Sequence, residues 1–526
     1  MIVGQLQRAV QLPRTDEETI DGRVGIHDNN QFEVKLDYRV DPNERQSRYH
    51  VEAWFFVPKS LGINPFSYRR EQFYADVHSY IRFKTPSIPL VAVLDADNAA
   101  SPLTRIQRIG PELLRRPTSR RRQGRLRREL RMFGCLLRAH LRDRVTDMRA
   151  RLTSEASELV QQPVRLGDLQ SGIATLLGEL EEAIGRYRGL RSLCLRPEMP
   201  TRVQDAYRYV DEYLSLVVEW YLTLLLEAID REAPVRSALQ ESRARIVERI
   251  LDERNHRRGA GYPSLLEPDA PNEEFVYRMG VLKKFVMSVL FLEMDKEQEG
   301  RGLLHFFAAI AAAIAMLVSI LALMWSSSRW ATFSAPWIVA GVISYAFKDR
   351  IKDWVRHYFA GKLGRWLSDY NTRIRDPEKE GTVGRCRESF AYVDPDRVPR
   401  RVLSCRHSDA HGTLETEEKP EVIMRYVKRV RLSNKVIGQL HGRLGDINDI
   451  MRFTVSSFQA RMDDPVRKIR SYSPESDRVE LLTCPKVYHV NIVFELRAAG
   501  DDERTTIQRF RVVLDRDRIR RLERVV

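Results

Sequence analysis

The chain has 526 residues, of which 43% are hydrophobic and 30% are charged, a balance that excludes disordered and fibrous proteins. Lysine and arginine (87) outnumber aspartate and glutamate (72), so the net charge is +15. The five cysteines are widely spaced, which excludes a disulfide scaffold and is typical of a reducing compartment. At roughly 150 residues per domain, the length predicts three or four structural units.

The first 100 residues are predicted to form a β-rich cytoplasmic domain. Apolar and polar residues alternate in 32–40 and again in 48–58, which predicts a β-hairpin. In 65–83 the apolar residues recur three to four positions apart, which predicts a helix. Residues 88–98 are predicted to form an apolar strand that ends in two aspartates.

A helical bundle is predicted over 126–299, joined to the first domain by an arginine-rich linker, 101–125. Apolar residues at steps of three and four predict a long amphipathic helix with a coiled-coil-like seam. The seam residues are Leu126, Leu130, Phe133, Leu137, Leu141, Val145, Met148 and Leu152. Proline and glycine residues separate the later helices, as expected at helix boundaries.

An apolar stretch in the middle of the chain predicts a two-helix transmembrane hairpin over 303–347. The first helix, 303–325, contains no Asp, Glu, Lys or Arg and would be about 34 Å long, enough for a hydrocarbon core of about 30 Å. The second, 330–347, also lacks these residues and would be about 27 Å long. Basic residues are concentrated after the second helix, so both termini are expected in the cytoplasm. The expected location is the bacterial cytoplasmic (inner) membrane, in a multi-pass topology.

A basic amphipathic helix is predicted directly after the hairpin, over 348–375. Its apolar residues recur three and four positions apart, and Lys352 and Arg356 lie on the opposite face. Such a helix either lies on anionic lipid or packs as a stalk on the helical bundle, and the sequence leaves both open.

Residues 376–526 are predicted to form a C-terminal α+β cytoplasmic domain. The stretch before residue 420 is predicted to be a loop, 422–432 a strand and 448–462 a helix. A second β-hairpin is predicted, 487–497 with 505–515, and the two hairpins could share a sheet. Together the segments predict an α+β membrane protein: a two-helix transmembrane hairpin with a cytoplasmic helical bundle and small β-rich segments at both ends of the chain.

The most enzyme-like feature of the sequence is Asp95-Ala96-Asp97, after the predicted strand. It resembles the first motif of haloacid-dehalogenase-type phosphotransferases, in which the first aspartate is the nucleophile and the second handles the leaving group. The resemblance covers about ten residues and departs at Asn98-Ala99, where that family has Thr or Val. It implies a phosphotransferase-like enzyme that uses Asp95 and Asp97, whereas a turn capped by Asx hydrogen bonds explains the same residues.

Two further groups of residues are candidates for binding. The candidate metal ligands are Cys386, Cys405, His407 and His411, but their spacing matches no common zinc motif, so neither a metal nor another cofactor is expected.

The second group is an arginine-rich segment, 115–131, in which nine of the 17 residues are arginine. Predicted contacts to anionic lipid are Arg120, Arg121, Arg122 and Arg125, together with Lys352 and Arg356. Because aromatic residues for base stacking are missing, nucleic acid is the less favoured partner, and a solvated, codon-biased segment explains the same arginines.

The sequence therefore predicts a non-enzymatic scaffold or regulatory assembly that is integral to the inner membrane. Its expected partner is the lipid bilayer, in particular anionic lipid. Whether the chain also forms a homo-oligomer is left open. Three alternatives come from other classes of protein: a homo-oligomeric channel or pore subunit, a membrane-tethered nucleic-acid binder, and the phosphotransferase-like enzyme.

Overall fold

The computed structural model describes residues 10–11, 20–41, 43–86, 88–154, 162–299, 301–331, 334–366, 368–377, 381–408, 421–440, 446–498 and 505–525. The strands are β1 Val10–Gln11, β2 Ile20–Ile26, β3 Gln31–Tyr38, β4 Gln46–Pro58, β5 Val77–Phe83, β6 Glu293–Gln298, β7 Tyr370–Arg375, β8 Thr382–Val393, β9 Glu421–Ser433, β10 Ile447–Thr454, β11 Val466–Ser473, β12 Arg478–Pro485, β13 Tyr488–Ala498, β14 Thr505–Leu514 and β15 Ile519–Val525. The helices are α1 Arg70–Asp76, α2 Leu90–Leu94, α3 Pro102–Arg115, α4 Arg120–Ser154, α5 Pro163–Gly189, α6 Arg191–Cys194, α7 Thr201–Asp230, α8 Ala233–Ala238, α9 Gln240–Gly259, α10 Glu273–Met287, α11 Arg301–Arg329, α12 Ala335–Trp366, α13 Arg400–Arg406, α14 Asn434–Leu440 and α15 Ser456–Gln459.

The chain divides into two compact units. The β unit is drawn from Met1–Arg82, Leu292–Leu440 and Gly445–Val526, and the helical unit from Phe83–Phe291. Within the β unit, the backbone N–H of Leu292 donates to the carbonyl of Ile81 at 3.0 Å. The helical unit is therefore inserted between two positions of the β unit that lie side by side.

Eight antiparallel strands form the larger sheet of the β unit, in the order β15-β14-β13-β4-β9-β8-β7-β6. Near its centre, β4 pairs with β13 on one side and with β9 on the other. Trp54 and Phe56 of β4 pack with Val402 of α13 and Val493 of β13 in one apolar cluster. Both faces of β4 are thus buried, which explains why its second half is a continuous apolar run.

The smaller sheet has five strands, in the order β1-β2-β3-β10-β5, and faces the other side of β4. Tyr38 of β3 stacks on Tyr49 of β4, with ring centroids 4.4 Å apart. The ring centroids of Phe453 in β10 and Phe55 in β4 are 5.5 Å apart. The two sheets therefore form a sandwich whose interior is filled by aromatic and aliphatic side chains from both.

The helical unit is organised around α4, which is 35 residues long. All eight seam residues predicted from the sequence are buried, which confirms the amphipathic helix and its packing face. The neighbouring helix α7 packs along α4 and buries both apolar residues and carboxylates.

The predicted fold class is wrong. Strands from both ends of the chain combine into sheets of eight and five strands, rather than forming small β-rich segments. Among the described residues, one helix, Ala309–Arg329, is long and apolar enough to cross a membrane. The predicted second span is shorter than expected, because its helix begins only at Ala335 and reaches Lys348 after about 13 residues. Its apolar part is therefore about 20 Å long, whereas a hydrocarbon core is about 30 Å thick. A two-helix transmembrane hairpin with a helical bundle is therefore not supported.

Several local predictions are also wrong, mainly because strands pair with partners that are distant in the sequence. β3 pairs with β2 and β10 and not with β4, so the predicted N-terminal hairpin does not form. Residues 448–462, predicted to be helical, contain most of β10, and 88–98, predicted to be a strand, contain helix α2. Before residue 420, the predicted loop contains the 12-residue strand β8.

Other local predictions are confirmed. The strand predicted at 422–432 is β9, and the hairpin predicted over 487–515 is formed by β13 and β14. The helix predicted over 65–83 is confirmed only for its middle part, α1, since β5 follows at once. Of the first predicted hairpin, only β4 shares a sheet with the second, because β4 pairs with β13 while β3 belongs to the smaller sheet.

Candidate membrane-attachment arm

A helical arm is inserted between the last two strands of the larger sheet. β6 and β7 are neighbours, with Gln298 opposite Tyr370, and α11 and α12 lie between them in the sequence. We call residues 301–366 the arm. Because β6 and β7 are adjacent and antiparallel, the arm leaves and re-enters the β unit at one place, the edge of the sheet.

The sequence of α11 favours a helix that is apolar on all sides. Residues 303–325 are rich in alanine and leucine, which are strong helix formers, and contain no formally charged side chain. In α12, Pro336 is the second residue, where the missing backbone N–H leaves no helical bond unmade. A helix that is apolar all round is typical of burial in lipid or in a protein interior.

Small residues form the contact between the two helices of the arm. Ala311 and Ala315, one turn apart on α11, are both buried. The hydroxyls of Ser319 and Ser344 are 2.9 Å apart, and Ser344 also lies within hydrogen-bond distance of the Ser319 carbonyl. Small side chains permit close approach of the helix backbones, so the larger apolar side chains point outward.

The outer surface of the arm is apolar and exposed. Only 17% of the most apolar stretch of α11 is buried within the chain. Exposed large apolar side chains on the two helices are Phe306, Ile314, Met316, Leu317, Val318, Ile320, Leu321, Leu323, Met324, Ile338, Val339, Val342, Ile343 and Phe347. A contiguous apolar surface of this kind marks a site of membrane or protein interaction.

Aromatic and basic residues flank this apolar surface. At the tip, Trp325 and Trp330 pack edge to face, and the guanidinium of Arg329 lies 5.9 Å from the Trp325 ring. At the other end, Lys348 lies over the ring of Tyr345 at 4.7 Å. Tryptophan, tyrosine and lysine are enriched where membrane proteins meet the lipid headgroups, and the arm carries such residues at both ends of its apolar surface.

The residues predicted to bind anionic lipid lie in two places. Arg120, Arg121 and Arg125 are exposed in the first turns of α4, whereas Arg122 is half-buried and 3.5 Å from Glu112. The other two, Lys352 and Arg356, belong to α12, but their side chains lie outside the part of the chain that is described. The first group belongs to the helical unit and the second to the β unit.

Asp95 and Asp97 lie in a turn that follows helix α2, and both are exposed. The Asp95 carboxylate accepts a hydrogen bond from the backbone N–H of Asp97 at 3.0 Å. The Asn98 side chain donates to the carbonyl of Ala92 at 2.7 Å. These contacts are those of the Asx-capped turn, the alternative that the sequence left open.

The candidate metal ligands are dispersed. Cys386 is fully buried in β8, where burial raises the pKa of its thiol well above the usual value, and Cys405 lies in α13, where burial also raises the pKa. His407 follows α13, and His411 lies outside the described residues. Within the described chain, no group of three or more His, Cys, Asp or Glu side chains is arranged to hold a metal ion.

A buried ion pair that sequence reasoning missed lies between the two sheets. Lys428 of β9 and Asp449 of β10 are both 0% exposed, with Nζ 2.6 Å from Oδ2. Ser79 Oγ lies 2.6 Å from the lysine Nζ, and Tyr38 donates to Asp449 at 3.0 Å. Burial lowers the pKa of Lys428, but Asp449 and its neighbours outweigh burial, so the pKa is raised and the amine stays protonated. The pair joins β9 of the larger sheet to β10 of the smaller sheet, with both charges out of contact with solvent.

A sequence signal for this pair exists. Residues two positions apart on a strand point to the same face. Lys428 therefore shares a face with Tyr426 and Val430, and Asp449 shares a face with Ile447 and Met451. All four flanking side chains are buried. A charged residue at an inward position of a strand indicates a buried partner of opposite charge.

The helical unit contains a charged network between α5, α7 and α9. Arg188 bridges Asp211 at 3.2 Å and Glu253 at 2.6 Å. Glu219 pairs with Arg257, whose side chain is 2% exposed. Each of these carboxylates is buried and paired, so the network holds the three helices together and explains how α7 carries charge in the interior.

Comparisons with known proteins identify no relative. No protein-family model, no curated protein and no solved structure matches the chain.

Proposed function

We propose that the chain is a membrane-attached, non-enzymatic scaffold whose arm enters the hydrocarbon region of a bilayer. The exposed apolar surface of the arm carries this proposal. The arm holds the β unit and the helical unit at the membrane, where their surfaces are offered to partners.

Burial of the arm in lipid supplies enough free energy for stable attachment. Full burial of one large apolar side chain is worth about 1.5–3 kcal/mol. Since the exposed side chains of the arm number more than ten, even partial burial is worth on the order of 10 kcal/mol. A single acyl chain, by comparison, gives only marginal and reversible membrane binding.

The edge position of the arm determines which parts of the chain share one side of the membrane. Because β6 and β7 pair with each other, the segments before and after the arm belong to one sheet and remain on the same side. We assign this side to the cytoplasm of a bacterial cell, because basic residues follow the apolar stretch closely, at Lys348, Arg350 and Lys352.

The proposal is tested by flotation of the full-length chain with liposomes. The wild-type chain should float with phosphatidylcholine vesicles and resist extraction by alkaline carbonate. Replacing two outward-facing residues, Leu317→Asp and Leu321→Asp, should release it, since an ionised carboxylate is costly to place in hydrocarbon.

The matched control is Val276→Asp on α10, an exposed apolar residue outside the arm. This variant should float like the wild type. A wild-type chain that stays in the aqueous fraction without detergent would show that the apolar surface is covered by protein, and the membrane proposal would be rejected.

Anionic lipid is the proposed headgroup partner of α4. Its exposed arginines Arg120, Arg121 and Arg125 each add about 1 kcal/mol of attraction near an anionic surface. The triple Gln variant should lower the binding of the chain to phosphatidylglycerol vesicles and leave binding to neutral vesicles unchanged. Equal binding of both chains to anionic vesicles at low salt would mean that these arginines are only solvated.

A further inference from the structure

A two-stranded β-ribbon projects from the β unit. Among the described strands, β11 and β12 pair only with each other, and we call residues 466–485 the ribbon. Its base is fixed by two ion pairs, Lys486 with Asp463 and Arg516 with Asp464. A two-stranded hairpin is marginally stable alone in water, so a surface that covers one face would stabilise the ribbon.

The two faces of the ribbon differ in charge. Residues that are directly opposite each other in an antiparallel pair point to the same side. One side, which we call the apolar-basic face, carries Val466, Lys468, Arg470, Tyr472, Val479, Leu481, Thr483 and Pro485. Its strand residues include two cations and no acidic residue, because Glu480 lies on the other face. The two remaining acidic residues, Glu475 and Asp477, lie in the turn, where Asp477 accepts a hydrogen bond from the Tyr472 hydroxyl. Its side chains are open to solvent: Tyr472 is 59% exposed and Val479 is 66% exposed.

The ribbon and the arm lie at the same end of the larger sheet. The arm ends just before β7, and the ribbon ends just before β13. Four antiparallel pairings, β7 to β8, β9, β4 and β13, separate these two strands. After four reversals β7 and β13 run in the same direction, so their first residues point to one end of the sheet. The ribbon therefore joins the sheet at the same end as the arm, four strands away.

We propose that the ribbon is a second lipid-binding element, whose apolar-basic face rests on anionic headgroups of the membrane that the arm enters. This inference rests on the proposed function of the arm. Lys468 and Arg470 bind lipid phosphates, while Val479 and Leu481 enter between the headgroups. Tyr472 has the ring and hydroxyl that are enriched at membrane interfaces. Two cations near an anionic surface, at about 1 kcal/mol each, favour the bound ribbon about 30-fold at low salt.

The test uses the full-length chain with an environment-sensitive fluorophore on the ribbon. Val479→Cys is labelled in a chain whose Cys405 and Cys484 are replaced by serine, because the other three cysteines are buried. The labelled chain is reconstituted in nanodiscs of phosphatidylcholine alone, or of phosphatidylcholine mixed with phosphatidylglycerol. We expect the emission to shift to the blue in the anionic nanodiscs only.

Two matched variants separate the faces of the ribbon. Lys468→Gln with Arg470→Gln should reduce the ratio of bound to free ribbon about 30-fold and abolish the shift. Arg467→Gln with Arg478→Gln removes the same charge from the other face and should leave the shift intact. Loss of the shift in both variants would overturn the assignment of the apolar-basic face.

Other outcomes distinguish failure of this inference from failure of the proposed function. A chain that co-elutes with anionic nanodiscs but shows no blue shift keeps the arm as the anchor and overturns the lipid role of the ribbon. A shift that appears in detergent without nanodiscs and grows with protein concentration shows that a second copy covers the ribbon, which also overturns it. A chain that does not co-elute with nanodiscs of either composition overturns the proposed function and this inference together.

Discussion

Glu52 is a residue at which burial and charge pairing oppose each other, and pairing prevails. Burial alone raises the pKa of Glu52, but the side chains of His50 at 2.6 Å and Arg425 at 2.9 Å lower it from 4.5 to about 2. Because the pKa is lower in the folded state, ionised Glu52 stabilises the fold above pH 4.5, and this contribution is lost as the pH falls from 4.5 towards about 2.

Glu52→Gln should therefore lower the thermal unfolding midpoint at pH 7, and the difference from the wild type should shrink steadily below pH 4.5. Scanning fluorimetry of both chains across this range measures the difference. The control is Glu71→Gln, since the Glu71 side chain is 71% exposed and lies 3.9 Å from its partner. A constant difference between wild type and Glu52→Gln at all pH values would contradict the assigned pKa.

The Lys428–Asp449 pair predicts strong coupling between two substitutions. Lys428→Met leaves a buried carboxylate with only hydroxyl donors, and removing one partner of a buried ion pair costs about 3–5 kcal/mol. The double variant Lys428→Met with Asp449→Leu should cost clearly less than the sum of the two single variants, because no unpaired charge remains. Hydrogen exchange of β9 and β10 in the three variants measures the losses of stability, and simple additivity would contradict the coupling.

At the scale of elements, helices and strands that are defined by the spacing of neighbouring residues can be predicted from the sequence. The pairing of strands that are far apart in the chain cannot. The seam of α4 is visible because residues three and four apart on one helix share a face. One of the two partners of β3 is β10, and Tyr38 and Asp449, which bond to each other, are 411 positions apart. Alternation in β3 indicates a strand but carries no information about such a partner, so an adjacent hairpin was predicted instead.

The candidate site was predictable to the same extent. The apolar run 303–325 is a local property of the sequence, and the exposed helix α11 corresponds to it. The start of α12 at Ala335, which shortens the second apolar segment, depends on how the chain turns at the tip of the arm. The ribbon was not predicted, because its position depends on where β13, the strand that follows it, lies in the larger sheet.

The seam of α4 predicts the cost of a single truncation. Leu137 is fully buried, so Leu137→Ala should destabilise the helical unit by about 2–5 kcal/mol, through lost transfer energy and the cavity left behind. Thr146→Ala, at an exposed position of the same helix, should change stability by less than about 0.5 kcal/mol. Proteolysis of the folded chain under mild denaturant compares the two, and equal protection of both variants would mean that α4 is not packed along its seam.

At the scale of the whole molecule, the helical unit is an insertion that should be removable. The hydrogen bond from Leu292 to Ile81 places the two ends of the β unit side by side, so a short glycine-serine linker bridges them. A chain lacking 83–291 should retain the exchange protection of β4, β9 and β13 in detergent. Loss of that protection would show that the β unit depends on the helical unit for its stability.

The central position of β4 has a consequence for how the protein is made. Its last residue, Pro58, leaves the ribosome roughly 430 residues before the strand β13 that completes its pairing. At translation rates of about 5–20 residues per second, this delay is on the order of 20–90 s. Until β9 is made, the apolar run of β4 has neither of its strand neighbours, and until β13 is made it has only one. The arm, residues 301–366, is made before both of these strands. Under the proposed function, the arm would therefore reach a membrane before the main sheet can close, and a holdase that covers Trp54, Phe55 and Phe56 would be needed most in this interval.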